Sequence, residues 1–334
     1  MRFGIRLLQH LGSPRELIEL GALADRAGFD HAWFPSDKFM YHAFALMAAV
    51  AEHTSRIIVG PNGAEPYSVS PGEIATFMAT LDHLSGGRTA LGFGMHTEEM
   101  IAWMGIPVRD RKTRVCEAVE LMRRLWRGEI VEFHGKEFNW SDQCYLRFKP
   151  VRDRIPIYLS GFEEDHLVMT GEMGDGSLPM VTPPESAGIM VKRVLKGVER
   201  AKRKPSDVDI CGCAWFSLTA DGRGTVTDNL KDVVAYFGPY LEEEALATVG
   251  LRHDDFSTIK NLIEAKQYAT ARERVTPEMM QLAVVGSPRE AICKIEMLAQ
   301  SGITQVSVGG PLGPDPRETI RLFGEQVIPY FRSN

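Results

Sequence analysis

Three times the chain writes the same helix opening: GSPRE at Gly12–Glu16, VSPGE at Val69–Glu73 and GSPRE again at Gly286–Glu290. In each, a serine (Ser13, Ser70, Ser287) can cap the helix, a proline fits the first helical position, and a glutamate three residues after the serine can complete a capping box. After the first opener, Leu17, Leu20, Gly21 and Ala24 fall at helical spacing, Gly28 ends the helix, and HAWF (His31–Phe34) follows as a strand. The last copy repeats this with Ile292, Ile295 and Ala299, then Gly302 and QVSV (Gln305–Val308). A helix-then-strand unit near both ends of the chain implies a parallel sheet that closes on itself, an α/β fold of the (β/α)8 TIM-barrel type.

A barrel of this kind with insertions accommodates 334 residues as one domain spanning 1–334, and 44% hydrophobic residues supply its core. The expected barrel strands are Arg2–Leu7, His31–Pro35, Ile57–Val59, Arg88–Phe93, Pro156–Leu159, Ser177–Met180, Asp209–Ser217 and Gln305–Val308. Two stretches do not fit the alternation: a hairpin insertion near 129–153 and a helical insertion near 229–280, too long for a single crossover.

Net charge is −6 with both signs interspersed, and no basic stripe carries interleaved aromatics, which argues against a nucleic-acid partner. Without an apolar run of membrane-spanning length, and with MRFGIRLLQH leading directly into a strand pattern, a cytoplasmic protein with no membrane partner is expected. The five cysteines (Cys116, Cys144, Cys211, Cys213, Cys293) lack framework spacing and read as reduced thiols; the histidines show no metal spacing, so no metal is expected.

Chemistry in such barrels collects at the carboxyl ends of the strands. The period of two in strand one aims Gly4, Arg6 and Leu8 inward, and a buried guanidinium needs an anion; Glu65, leaving strand three, is the expected partner. Asp37 and Lys38 leave strand two, and His96 follows strand four, where it can move a proton near neutral pH. Lys38, Glu65 and His96 are therefore the candidate proton-transfer residues. The turn SGFEED (Ser160–Asp165) offers free amides to an anion, opposed by Glu163 and Glu164.

LDHLSGGRTALGFG (Leu81–Gly94), LMRRLWRGE, PIYLSG with MGDGSLPM, and VVGSPREAICKIEMLAQSGITQV resemble the bacterial-luciferase-like superfamily. VTPEMMQLAVVGSP (Val275–Pro288) and GGPLGPDPRETIRLFGEQVIP are most similar to its methylenetetrahydromethanopterin reductase branch. The resemblance implies a barrel that binds the deazaflavin coenzyme F420, or alternatively FMN, at its carboxyl face as a homodimer. It implies hydride exchange with a small unsaturated or carbonyl-containing substrate. A luciferase-like FMN-dependent monooxygenase is the first alternative, a non-catalytic barrel serving as a binding protein the second. The family's bulge after strand three, often a non-prolyl cis peptide behind the ring, maps to Asn62 and Gly63. Its phosphate-side contacts map to Met95–Thr97, Gly161, Phe162 and Gly176, and its ring-facing acidic position to Asp37. Against the branch pattern, Arg6 stands where a strand-one glutamate is usual, Lys38 replaces a histidine, and Phe162–Glu164 replace Gly-Pro-Lys.

Overall fold

The computed structural model describes residues 1–94, 98–161 and 163–333, with the side chains of Glu98 and Glu99 outside that description. Its elements run β1 (Arg2–Arg6), α1 (Pro14–Ala27), β2 (His31–Pro35), α2 (Ala43–Glu52), β3 (Ile58–Asn62), α3 (Pro71–Ser85), β4 (Leu91–Gly94), α4 (Glu98–Ala102) and α5 (Arg111–Trp126). A short antiparallel pair, β5 (Phe133–His134) with β6 (Asn139–Trp140), occupies the region expected to hold a hairpin. Then come β7 (Ile157–Ser160), α6 (Glu164–Met173), β8 (Gly176–Ser177), α7 (Ala187–Arg200) and β9 (Asp209–Leu218). The long insertion folds as α8 (Asp228–Phe237), α9 (Glu243–Ala247), α10 (Ser257–Glu264) and α11 (Tyr268–Glu273). The chain ends with β10 (Ala283–Gly286), α12 (Pro288–Gln300), β11 (Gln305–Gly309), α13 (Pro316–Leu322) and α14 (Ile328–Ser333).

All barrel strands pair in parallel, in the order β3-β2-β1-β11-β9-β8-β7-β4. The two ends of that path meet: Ala90 N donates to Val59 O at 3.1 Å and Ala64 N to Gly92 O at 2.8 Å, with bridges at Val59–Thr89 and Ala64–Phe93. Closure depends on Gly92, because a Cβ there would stand 2.1 Å from the carbonyl oxygen of Pro61. The barrel fold class is thus as expected from the sequence.

The three openers begin helices at Pro14, Pro71 and Pro288. Ser13 and Ser287 exchange both capping-box bonds with Glu16 and Glu290, whereas Ser70 accepts from Glu73 N at 3.2 Å without the return bond. Four strands differ clearly from expectation: β3 runs on to Asn62 instead of ending at Val59, β4 opens at Leu91 instead of Arg88, and β8 and β10 differ as follows. β8 ends at Ser177 instead of Met180, because Pro179 has no N–H to continue the ladder. β10 was not expected; β9 is long enough that β11 pairs with Cys211–Trp215 while β10 takes Trp215–Leu218.

The barrel interior is layered. Outward-facing Phe3, Ile5, Val59, Leu91, Phe93, Ile157 and Leu159 join the core between strands and helices. Inward, Trp33, Tyr158, Leu178, Cys211 and Cys213 form a separate plug. His31 stacks on Trp33 with ring centroids 5.3 Å apart and meets Tyr158 edge-on. The Tyr158 hydroxyl and the Gln305 amide both donate to Asp209, at 2.8 and 2.6 Å. This aromatic floor fills the lower part of the barrel interior.

Burial holds the His31 imidazole down to about 4, against a partial upward pull from Asp209. The unfolded chain takes up a proton at this residue below pH 6.5, while the folded state refuses it until about pH 4. Stability is therefore full above pH 6.5 and falls as the pH drops toward 4, by about 3 kcal/mol from this group. His31→Gln is expected to flatten that part of the stability-against-pH curve; an unchanged slope in the variant would contradict it.

Candidate functional site

Above the aromatic floor, the strand ends bring charged and polar side chains together. Arg6 closes β1 and points inward, as the period of two requires, and is 7% exposed. Its expected partner is wrong. Instead of Glu65, Arg6 meets the carbonyl oxygens of Pro179 and Met180 after β8 and the Cys213 thiol, the last at 2.5 Å.

Glu65 is occupied elsewhere. Its Oε1 pairs with Lys38 Nζ at 2.5 Å, and its Oε2 accepts from the backbone N–H of Tyr67 at 2.6 Å and of Ser68 at 3.0 Å. Lys38 Nζ also donates to Ser68 Oγ at 2.7 Å. Side chains from the exits of β2 and β3 thus form a Lys38–Glu65–Ser68 unit in which the Lys38–Glu65 pair is largely buried and Ser68 exposed, with Glu65 fixed by amides of its own loop. Two of the three sequence-derived proton-transfer candidates therefore touch. Ser68 was missed, although the spacing of a glutamate three residues before a serine is the signal for a side chain folding back on its own turn.

Asp37 is half-buried between these cations. Burial pushes its carboxyl above the usual range, opposed by the charges of Arg6 and Lys38. Asn62 ends β3 and Ser160 ends β7, both facing inward on the strand alternation, and Asn62 Oδ1 and Ser160 Oγ are buried without a hydrogen-bond partner. The Asn62–Gly63 peptide is cis, and the ladder is interrupted at Gly63 before Ala64 bridges to Phe93. An interior that leaves two polar atoms unsatisfied at its open end is complementary to a polar ligand.

At the turn after β7, Gly161 has a φ of +155°, and a Cβ there would stand 2.8 Å from His166 Cβ. The neighbouring carboxylates are not unopposed, as the sequence suggested: Glu163 lies 3.4 Å from Arg111 Nη1 and 3.2 Å from His166 Nδ1, and Glu164 lies 2.7 Å from Lys196 Nζ. Gly176 does not belong to this group. It opens β8 beside Asp209, the first residue of β9, with the Tyr158 ring where its side chain would be, so it sits at the floor and not at the mouth. Met95, His96, Thr97 and Phe162 lie outside the described residues.

The same architecture occurs in proteins of known activity. A 5,10-methylenetetrahydromethanopterin reductase of Archaeoglobus fulgidus is 29% identical over 334 residues, covering 98% of this chain and 99% of that one. An F420-dependent glucose-6-phosphate dehydrogenase of Nakamurella multipartita is 25% identical, covering 100% and 97%. The solved coenzyme F420-dependent tetrahydromethanopterin reductase of Methanopyrus kandleri superposes with a TM-score of 0.92 at 28% identity, over 99% of both chains. The model of one family, described as luciferase-like monooxygenase, matches residues 1–305. With a closed parallel barrel, a polar mouth above an aromatic floor and a match over nearly its whole length, this chain belongs to the luciferase-like monooxygenase family.

Proposed function

We propose that this protein is an oxidoreductase that exchanges hydride between coenzyme F420 and a small unsaturated or carbonyl-containing substrate, in the manner of a methylenetetrahydromethanopterin reductase. The observation that carries this reading is the end-to-end likeness, in sequence and in fold, to an F420-dependent reductase. The mouth also fits the cofactor: Asn62 Oδ1 and Ser160 Oγ are buried, unsatisfied polar atoms that a heterocyclic ring with donors on its edge would pair. When bound, F420 supplies the hydride donor or acceptor at its deazaflavin ring.

The chain's own residues do the rest. Asn62, Gly63 and Asp37 line the ring side, with the turn at Gly161 on the phosphate side. Met95, Thr97 and Phe162 extend the cofactor contacts by family resemblance. Lys38 is the proton carrier of this reading: Glu65 and Ser68 hold its Nζ in place at the mouth, where it can face the substrate. His96 remains a second candidate for proton transfer. The aromatic floor of Trp33 and Tyr158 keeps water from approaching from below. The reading includes a cytoplasmic homodimer; among the described residues no helix is long and apolar enough to cross a membrane.

The test is turnover under anaerobic conditions with reduced F420 and methylenetetrahydromethanopterin, followed by a panel of enones and ketones. Reappearance of oxidised F420 absorbance with at least one acceptor is expected. Oxygen uptake with reduced FMN, and none of this F420 chemistry, would assign the monooxygenase alternative instead.

Glu163→Gln/Glu164→Gln should tighten F420 binding several-fold at low salt. The substitutions remove two carboxylates and release Arg111 and Lys196 from their ion pairs toward an incoming phosphate. The gain should fade above about 0.15 M salt, where surface charges are screened beyond roughly 8 Å. Calorimetric affinity that is unchanged, or weaker, would remove the phosphate from this turn.

A further inference from the structure

Arg6 carries a permanent charge inside the barrel, and among the described residues it has no full counter-ion. A guanidinium has five N–H donors. Here three are used, on Pro179 O, Met180 O and Cys213 Sγ, while Nε is buried without a partner. Carbonyl dipoles solvate the charge but do not cancel it. Glu65, the carboxylate that the sequence suggested, is held by Lys38 and two backbone amides. Burial pushes the Asp37 carboxyl up, and Asp37 lies near enough for the Arg6 charge to pull it down against that push, but the two side chains make no ion pair or hydrogen bond. Among the described residues the remaining candidate is Cys213: against the upward push of burial, the Cys211 thiol and the Arg6 guanidinium draw its thiol down to about 7.

An uncompensated guanidinium at the open end of a barrel is a recognition element for an oxyanion, because a carboxylate both neutralises it and accepts its spare N–H groups. We propose that Arg6 forms an anion subsite in the barrel mouth that binds a carboxylate on the substrate, so that the hydride partner is a small unsaturated or carbonyl-containing acid. The reaction in this statement rests on the F420 reading above; the subsite itself does not. The Lys38–Glu65 pair on the neighbouring strand exits is neutral as a unit, and Asn62 and Ser160 offer polar contacts for the carbonyl end of such an acid.

Calorimetric titration of the protein with acetate, crotonate and crotonamide, without and with saturating F420, tests this. Crotonate and crotonamide have nearly the same shape and differ in charge. Crotonate is expected to bind at least tenfold more tightly than crotonamide, with acetate also binding. Arg6→Met should abolish the preference and Arg6→Lys should retain part of it. Equal affinities for crotonate and crotonamide in the unaltered protein, or no saturable binding by either carboxylate, would overturn the proposal even if Arg6→Met does not fold. Loss of crotonate binding once F420 is present would also overturn it, by assigning the subsite to an anion of the cofactor. A full equivalent of thiolate absorbance at pH 7.5, abolished in Cys213→Ser, together with absent carboxylate binding, would make Cys213 the counter-ion. If F420 fails to bind while crotonate still discriminates through Arg6, the subsite stands and the F420 reading falls.

Discussion

Glu65→Leu is expected to lower stability by about 3–5 kcal/mol and to abolish F420-linked turnover. Removing one member of a largely buried ion pair leaves the other charge stranded, and this cost exceeds the net value of the intact pair. Here the stranded group is Lys38, whose ammonium would keep only Ser68, while the amides of Tyr67 and Ser68 lose their acceptor. The double variant Lys38→Met/Glu65→Leu removes both charges and should recover a large part of the stability lost, though none of the activity. Urea denaturation of the two single variants and the double variant closes the cycle. Additive losses would mean that Lys38 and Glu65 do not depend on each other, and the account of the mouth would need a different proton carrier.

A loss of similar size is expected at the opposite end of the barrel with no effect on the mouth. Asp82, 1% exposed in α3, accepts from Thr89 Oγ1 at 2.6 Å and from Arg152 at 2.9 and 2.5 Å. It ties the start of the fourth barrel strand to the segment that follows the hairpin. Asp82→Ala should cost about 3–5 kcal/mol because it leaves Arg152 and Thr89 without their acceptor in a mostly buried setting. F420 affinity below the melting transition should stay within twofold of the unaltered protein. A large change in affinity would mean that the floor and mouth are coupled, against the division of (β/α)8 barrels into a stability face and a chemical face.

These two ends also differ in how much of them was legible in the sequence. Capped openers and alternation write the strands and helices directly, because Ser13, Pro14 and Glu16 act within one turn and need no tertiary partner. The inward direction of Arg6 follows from the same local logic, being fixed by the period of two. Its partner does not. Choosing among Glu65, the carbonyls after β8 and Cys213 requires the register between strands far apart in the chain, and Glu65 was withdrawn from Arg6 by Lys38, one strand away. Gly176 went astray for a related reason: it opens β8 and pairs with Asp209, the first residue of β9, a register that places the glycine at the floor of the barrel. The acidic turn looked repulsive because Arg111 and Lys196, which oppose Glu163 and Glu164, arrive from two other helices.

The mouth formed by Asp37, Lys38, Asn62, Glu65 and Ser160 is expected to receive a deazaflavin. Fluorescence titration of coenzyme F420 into the protein, beside FMN under identical conditions and with the Asn62→Ala and Asp82→Ala variants in parallel, tests it most directly. Saturable binding of one F420 per chain, tighter than FMN, weakened at least tenfold by Asn62→Ala and left within twofold by Asp82→Ala, is the predicted result. Tighter binding of FMN, no binding of either cofactor, or F420 binding indifferent to Asn62→Ala would contradict it.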